Sequence, residues 1–102
     1  MILTARHVSA KEGFELGFVN EVVPAGGALA AAERWAETIC KNSPMSIRAS
    51  KQAIQKGLAV SLEQAITEQR EYPAVKAMAA SQDYVEGPKA FAEKRPPQWL
   101  GR

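Results

Sequence analysis

Signals that start α-helices recur along this 102-residue chain and constrain its fold more than any other feature. The segments Ser9–Glu12 and Ser61–Gln64 have the spacing of a capping box, in which the serine hydroxyl and the later side chain satisfy free backbone N–H groups. Ser43 precedes Pro44, and proline favours the first position of a helix because the N–H that it lacks would have no partner there. These starts predict a mainly α-helical chain.

The first half of the chain predicts two helices separated by an extended piece. Gly17 suits the left-handed residue that ends a short first helix. The β-branched segment Phe18–Pro24, "FVNEVVP", predicts one short strand or extended piece. A second helix over Ala28–Lys41 follows from an apolar stripe with helical spacing: Leu29, Ala32, Ala36, Ile39 and Cys40. Cys40, the single cysteine, excludes an intramolecular disulfide and is interpreted as a small core residue.

The second half predicts further helices with proline and glycine at their ends. Ile47 and Ile54 mark the inward face of a helix that begins at Ser43-Pro44 and ends at Gly57, with Ser50 on the same face. The helix that opens at Ser61 is expected to break near Tyr72, because Pro73 cannot donate a hydrogen bond inside it.

The last helix is expected to be short. Asp83–Glu86 has the form of a third capping box, but Gly87-Pro88 argues against a helix that runs through it. We therefore expect a turn over residues 83–86 and a helix from Gly87 to Arg95, stopped by Pro96-Pro97. The fold class is mainly α with at most one short strand, in a single segment spanning residues 1–102.

The residues alone predict no catalytic centre and no metal site. His7 has no cysteine or carboxylate beside it, and Glu68 and Glu71 lie three apart on a polar helix face without the apolar surroundings that tune acid/base pairs. No Cys/His set has metal-ligand spacing. No apolar run has the length of a membrane span, so the chain is expected to be cytoplasmic.

The net charge of +2 is too small to indicate nucleic-acid binding. A small nucleic-acid binder remains an alternative that rests only on the cations near the C-terminus: Lys89, Lys94, Arg95 and Arg102.

One pair of residues suggests a ligand contact. On a helix, Phe91 and Lys94 share a face, and an aromatic ring beside an ammonium can stack on a purine while the cation pairs with a phosphate. The spacing also fits a core Phe91 with a solvated Lys94, which it favours by itself, and both interpretations stay open.

Ordered landmarks through the chain resemble the enoyl-CoA hydratase/isomerase, or crotonase, family. "ILTARHVSAKEGFELGFVNEVVP" is similar to the pattern "LTGRxISAxEAxxxGLVNxVVP". The resemblance continues through Ser43-Pro44, Lys51–Ile54, Ser81, Asp83 and Glu86-Gly87 to "AFAEKRPPQW". It departs from the pattern at Ala5, where glycine is usual, and at Phe18 and Pro88.

The resemblance implies the helical C-terminal region of the crotonase fold. It implies homo-oligomer contacts, in trimers or hexamers, and a last helix that approaches the coenzyme A site of a neighbouring subunit through Phe91 and Lys94. Coenzyme A thioesters of fatty acid metabolism would be the substrate of the complete enzyme, with no covalent cofactor. The family's oxyanion hole and catalytic residues have no counterpart in these 102 residues, so we expect no activity from this chain alone. The alternative is a stand-alone helical oligomerisation module without coenzyme A chemistry.

Overall fold

The computed structural model describes residues 1–102, and its regular structure is entirely helical. The helices are α1 (Ala10–Glu15), α2 (Ala28–Cys40), α3 (Pro44–Gly57), α4 (Leu62–Glu68), α5 (Pro73–Ala79) and α6 (Gln82–Ala92), with a 3-10 turn at Gln69–Glu71 after α4. The chain divides into two compact units, Met1–Glu37 and Thr38–Arg102, which are described separately. The predicted mainly helical class is confirmed.

The first unit contains α1, whose start is only half of the predicted capping box. The Ser9 hydroxyl accepts a hydrogen bond from the Glu12 N–H at 3.2 Å. The Glu12 carboxylate does not reach back, because it pairs with Arg6 at 2.7 Å instead. Gly17 follows the helix with a φ of 85°, the left-handed conformation expected for it.

Of the two forms predicted for Phe18–Pro24, a short strand or an extended piece, the strand does not form. The Phe18 and Val19 N–H groups donate to the carbonyl of Gly13 at 3.1 and 3.2 Å, so the segment begins by folding back onto the end of α1. A strand needs a ladder partner for these groups, and the chain offers none. The fold-back is close, since a Cβ on Gly13 would lie 2.8 Å from the Val19 side chain. Ala5 has a φ of 49°, which explains why glycine would suit its position.

The second unit is built around the packing of α3 on α5. Ala49 is 3% exposed, and the Gln52 side chain accepts a hydrogen bond from the Ala74 N–H at 2.8 Å. Tyr72 is also buried, and its extended backbone separates the 3-10 turn from α5. The helical segment that begins at Leu62 is therefore interrupted near Tyr72, directly before Pro73, as predicted. The Ser61–Gln64 capping box is also confirmed, with both of its hydrogen bonds formed.

Predicted core positions on two of the helices, α2 and α3, are wrong. In α3 the buried residue is small Ala49, and Gln52 contacts α5, whereas Ile47 and Ile54 are exposed. Cys40 is likewise exposed at the end of α2. The apolar periodicity correctly located α2 and α3, but it did not indicate that the buried face of α3 is the one with Ala49 rather than the one with Ile47 and Ile54.

The last helix also differs from the prediction. Helix α6 runs through Pro88 without a break, from Gln82 to Ala92, and Ser81 rather than Asp83 is its N-cap. The Ser81 hydroxyl accepts from the Tyr84 N–H at 3.2 Å. The predicted turn over residues 83–86 and the predicted helix start at Gly87 are therefore wrong, and Asp83 does not act as a helix cap. The carboxylates of Asp83 and Glu86, which lie in the part of α6 before Pro88, instead make tertiary contacts.

Many large apolar side chains remain exposed in this chain. They include Leu29, Ile39, Ile47, Ile54, Leu58, Leu62, Ile66, Val85 and Phe91. None of the six helices has the combination of length and apolarity needed to cross a bilayer.

Candidate ligand-contact site on the last helix

A buried carboxylate anchors the C-terminal segment to α6. Asp83 is 3% exposed and accepts hydrogen bonds from the Leu100 and Gly101 N–H groups at 2.8 and 3.2 Å. The Ser43 hydroxyl donates to its other oxygen at 2.7 Å. Burial alone would raise the pKa of Asp83, but the Leu100 N–H, the Ser43 hydroxyl and the Gly101 N–H together hold it below its usual value. Asp83 is therefore a charged structural anchor.

A second carboxylate, Glu86, fixes the turn that follows α6. Arg95 donates to both of its oxygens, through Nη1 at 2.6 Å and Nη2 at 2.9 Å, and the Gln98 N–H donates at 2.7 Å. The Arg95 hydrogen bonds, with the Gln98 N–H, lower the pKa of Glu86 to about 2. Arg95 Nε also donates to Glu93 at 2.6 Å. Glu86, followed by Glu93, raises the pKa of the guanidinium.

The C-terminal segment returns along α6 through further contacts. The Trp99 indole donates to the Lys41 carbonyl at 2.9 Å, and a Cβ on Gly87 would meet the Trp99 ring at 3.4 Å. At the start of the helix, the Gln82 N–H donates to the Arg102 carbonyl at 2.7 Å. Residues 95–102 are thus held against α6 from its first residue to its last turn.

Helix α6 ends in a left-handed turn at Lys94. The Lys94 N–H donates to the Phe91 carbonyl at 3.3 Å, and the Arg95 N–H donates to the Ala90 carbonyl at 3.1 Å. Together these are the two hydrogen bonds of a Schellman motif, with Lys94, at a φ of 53°, in the position that glycine usually takes. The sequence prediction that the helix continues to Arg95 is therefore wrong.

The structure places the two predicted ligand-contact residues on either side of the helix end. Phe91 lies in the last turn of α6 and is 87% exposed, so the interpretation of this side chain as core is wrong for this chain. Lys94 is exposed, and its ammonium makes no hydrogen bond or ion pair within the chain. The premise that both residues share a helix face is wrong, because Lys94 lies beyond the helix.

A shallow cleft of about 400 Å³ opens beside this helix. Its lining combines both carboxylates with an apolar side and one cation: Gln82, Asp83, Val85, Glu86, Lys89, Gln98 and Leu100. Both carboxylates of this lining are already occupied by the chain's own donors.

The residues considered for acid/base chemistry are exposed, each on the surface of its own unit. His7 is exposed in the first unit, and Glu71 pairs with Lys76 at 2.6 Å on the surface. The sequence does not indicate the tertiary roles of Asp83 and Glu86, because their three-residue spacing resembles a local capping box or turn. Nothing in the spacing of Glu86 and Arg95, nine residues apart, indicates their pairing.

Comparison with known proteins decides the family. The family model described as enoyl-CoA hydratase/isomerase matches residues 1–102. The chain belongs to the enoyl-CoA hydratase/isomerase family. It is similar to carnitinyl-CoA dehydratase from Proteus mirabilis, at 35% identity over 107 residues that cover 100% of this chain and 40% of the relative.

Solved structures agree with this family. The enoyl-CoA hydratase from Bacillus anthracis matches with a TM-score of 0.87 and 36% identity, over 99% of this chain and 38% of that one. The enoyl-CoA hydratase from Mycobacterium tuberculosis matches with a TM-score of 0.88 and 36% identity, over 98% of this chain and 39% of that one. The chain thus spans about 40% of the length of these family members.

Proposed function

We propose that this chain is the C-terminal portion of an enoyl-CoA hydratase/isomerase that acts on acyl-CoA thioesters. The family match over residues 1–102 carries this proposal, together with the share of about 40% that the chain covers in longer family members. In this role residues 1–102 supply oligomer contacts and part of the coenzyme A rim, and the catalytic groups come from the rest of the fold.

The geometry at the end of α6 supports the coenzyme A contact. Phe91 presents an exposed ring, which suits stacking on an adenine, and Lys94 presents an ammonium without an internal partner, which suits a phosphate. Arg95 is less suited to a phosphate, because Glu86 and Glu93 already hold its guanidinium.

The exposed apolar side chains support a second candidate, a helical oligomerisation module without coenzyme A chemistry. Leu29, Ile39, Ile47, Ile54 and Leu62 are all at least one-third exposed, and large uncovered apolar surface is typical of association sites. This candidate requires oligomer contacts but no ligand contact by Phe91 or Lys94.

Calorimetric titration with coenzyme A separates the two candidates. We expect binding by the 102-residue chain, weakened about fivefold or more by Phe91→Ala and by Lys94→Ala. The matched controls are Phe14→Ala, which removes another half-exposed ring, and Lys51→Ala, which removes an exposed lysine of α3. A defined oligomer in analytical ultracentrifugation without any coenzyme A binding would favour the second candidate.

Activity provides a further check. We expect the purified chain to hydrate crotonyl-CoA no faster than a blank, because it has no counterpart of the oxyanion hole that the family uses. The assay follows loss of the enoyl thioester absorbance, with protein purified from a host lacking its own hydratase. Turnover that follows the chain through purification would contradict the proposal that catalysis needs the rest of the fold.

A further inference from the structure

The backbone of Lys94 is held in a conformation that a lysine does not favour. Its φ of 53° lies in the left-handed region, where a Cβ crowds the backbone and glycine is the usual residue. Glycine would form the same turn more readily but would carry no ammonium. A non-glycine residue in such a conformation persists only where its surroundings determine it, and it often marks a functional position.

The surroundings that determine this turn converge on Arg95. Its N–H closes the turn on the Ala90 carbonyl, and its guanidinium makes a bidentate pair with Glu86 on the preceding part of α6. Glu86 in turn accepts the Gln98 N–H, so one carboxylate ties the helix to residues on the far side of Lys94. The left-handed residue is therefore bracketed by a fixed helix and a fixed following segment.

This arrangement gives adjacent cations different roles. Arg95 is one-third exposed and neutralised by two carboxylates, whereas Lys94 is exposed and has no internal partner. A bidentate guanidinium–carboxylate pair has a fixed geometry that a lysine in place of the arginine cannot reproduce.

We propose that Glu86 and Arg95 are positioning residues, which hold Lys94 in the left-handed turn so that its ammonium meets the phosphate of a coenzyme A ligand beside Phe91. The choice of coenzyme A as the ligand rests on the proposed function, whereas the left-handed turn at Lys94 is observed in the structure. Neither Glu86 nor Arg95 contacts the ligand in this arrangement, and their effect on binding is transmitted through the backbone of Lys94.

The test combines amide hydrogen exchange with coenzyme A calorimetry on the full 102-residue chain. Arg95→Lys keeps the charge but loses the bidentate pair, and Glu86→Gln removes the carboxylate charge. For both variants we expect exchange of the amides at positions 94 and 95 to accelerate about tenfold or more. We also expect the Kd for coenzyme A to rise about fivefold or more at a temperature where circular dichroism shows full folding.

Two further variants complete the design. Lys94→Gly should keep the amide protection of the turn and yet lose coenzyme A affinity, because glycine accepts the conformation without providing the cation. Glu71→Gln breaks the exposed Glu71–Lys76 pair and should leave both measurements unchanged. A pair that only stabilised the fold would lower the unfolding temperature without changing the Kd of the folded protein, and that result would overturn the proposal.

The two proposals fail in different ways. Absence of coenzyme A binding by the unmodified chain overturns the proposed ligand contact, while the exchange data still decide whether Glu86 and Arg95 hold the turn. A second outcome is that the unmodified chain binds coenzyme A and Lys94→Gly abolishes this binding, while Arg95→Lys and Glu86→Gln leave the Kd unchanged. That outcome overturns the positioning role alone. Unchanged exchange at positions 94 and 95 in both of those variants also overturns it.

Discussion

Replacing Pro88 with alanine should stabilise the protein. Pro88 is exposed and lies inside α6, where it has no N–H to donate to the Tyr84 carbonyl one turn earlier. Its ring also crowds that carbonyl and disfavours the helical conformation of the preceding residue, Gly87. Pro88→Ala removes each of these effects without opening a cavity, because the ring lies at the surface.

The expected gain follows from two opposing contributions. Proline in a helix interior costs about 3 kcal/mol relative to alanine. Its restricted φ also limits the unfolded chain, and losing that restriction costs about 0.4–1 kcal/mol. The net prediction for Pro88→Ala is a gain of about 2 kcal/mol in the free energy of unfolding.

Pro73 provides the matched control, since it occupies the start of α5, where a backbone N–H would have no helical partner. Pro73→Ala gains no hydrogen bond and makes the unfolded chain more flexible, so we expect a loss of about 0.4–1 kcal/mol. The two substitutions remove the same ring from exposed positions but are predicted to have opposite signs.

Urea denaturation followed by helical circular dichroism measures both changes. With a denaturant dependence of about 2 kcal/mol per molar, the gain for Pro88→Ala corresponds to a midpoint about 1 M higher. In hydrogen exchange, the new amide at position 88 should be protected. A Pro88→Ala midpoint equal to or below that of the unmodified chain, with an unchanged slope, would refute the reasoning that α6 is a strained helix held by its tertiary contacts.

The other predictions concern acid stability, capping and glycine sites. The pKa of Glu86 is about 2 in the folded chain against an ordinary value of 4.5, so protonation at low pH favours the unfolded state. The unfolding temperature should therefore fall as the pH is lowered from about 5 to about 2, and it should fall less steeply in Glu86→Gln. Both Ser43→Ala and Ser61→Ala remove a helix N-cap, but only Ser43→Ala also removes the hydroxyl that donates to the buried Asp83 carboxylate. Ser43→Ala should therefore lower the unfolding temperature by at least about 5 °C more than Ser61→Ala does. Gly13→Ala should destabilise the first unit by about 1–3 kcal/mol through overpacking, whereas Gly57→Ala, whose new methyl finds ordinary contacts, should gain up to about 1 kcal/mol.

Each of these predictions has a result that would contradict it. The Glu86 prediction is wrong if the unfolding temperatures of the unmodified chain and of Glu86→Gln fall in parallel as the pH is lowered. Equal shifts for Ser43→Ala and Ser61→Ala would mean that the hydroxyl on the buried carboxylate contributes nothing beyond capping. A stabilised Gly13→Ala chain would show that the neighbouring side chains move aside at little cost.

The start signals of the helices were readable from sequence because they depend on neighbouring residues. The Ser61–Gln64 box forms in full, and Pro73 opens α5 directly after an extended Tyr72. Gly17 takes the left-handed conformation for the same local reason. Each feature is set by hydrogen bonds or steric limits within a few residues, so distant parts of the chain cannot easily change it.

The candidate site was readable only in part. The spacing of Phe91 and Lys94 and the resemblance of "AFAEKR" to the family indicate a ligand contact by both residues. Their actual relation depends on where the helix ends, and the sequence predicts that end three residues too late, at Arg95 rather than Ala92. The end is set by the left-handed turn at Lys94, and Glu86 helps to hold that turn through Arg95. A lysine gives no local signal for such a conformation, since glycine is the residue that favours it.

By itself, the sequence of this family member determined that the chain is helical, where most of its helices begin, and which family it resembles. Only the tertiary structure decided which faces of those helices are covered and that α6 continues through Pro88. It also decided that Arg95 is paired with carboxylates, while the neighbouring Lys94 has no partner within the chain. The physical reason is the distance along the chain between the groups that satisfy one another. Caps and turns are satisfied within one helical turn, whereas Asp83 and Glu86 are satisfied by donors 9 to 40 residues away along the chain.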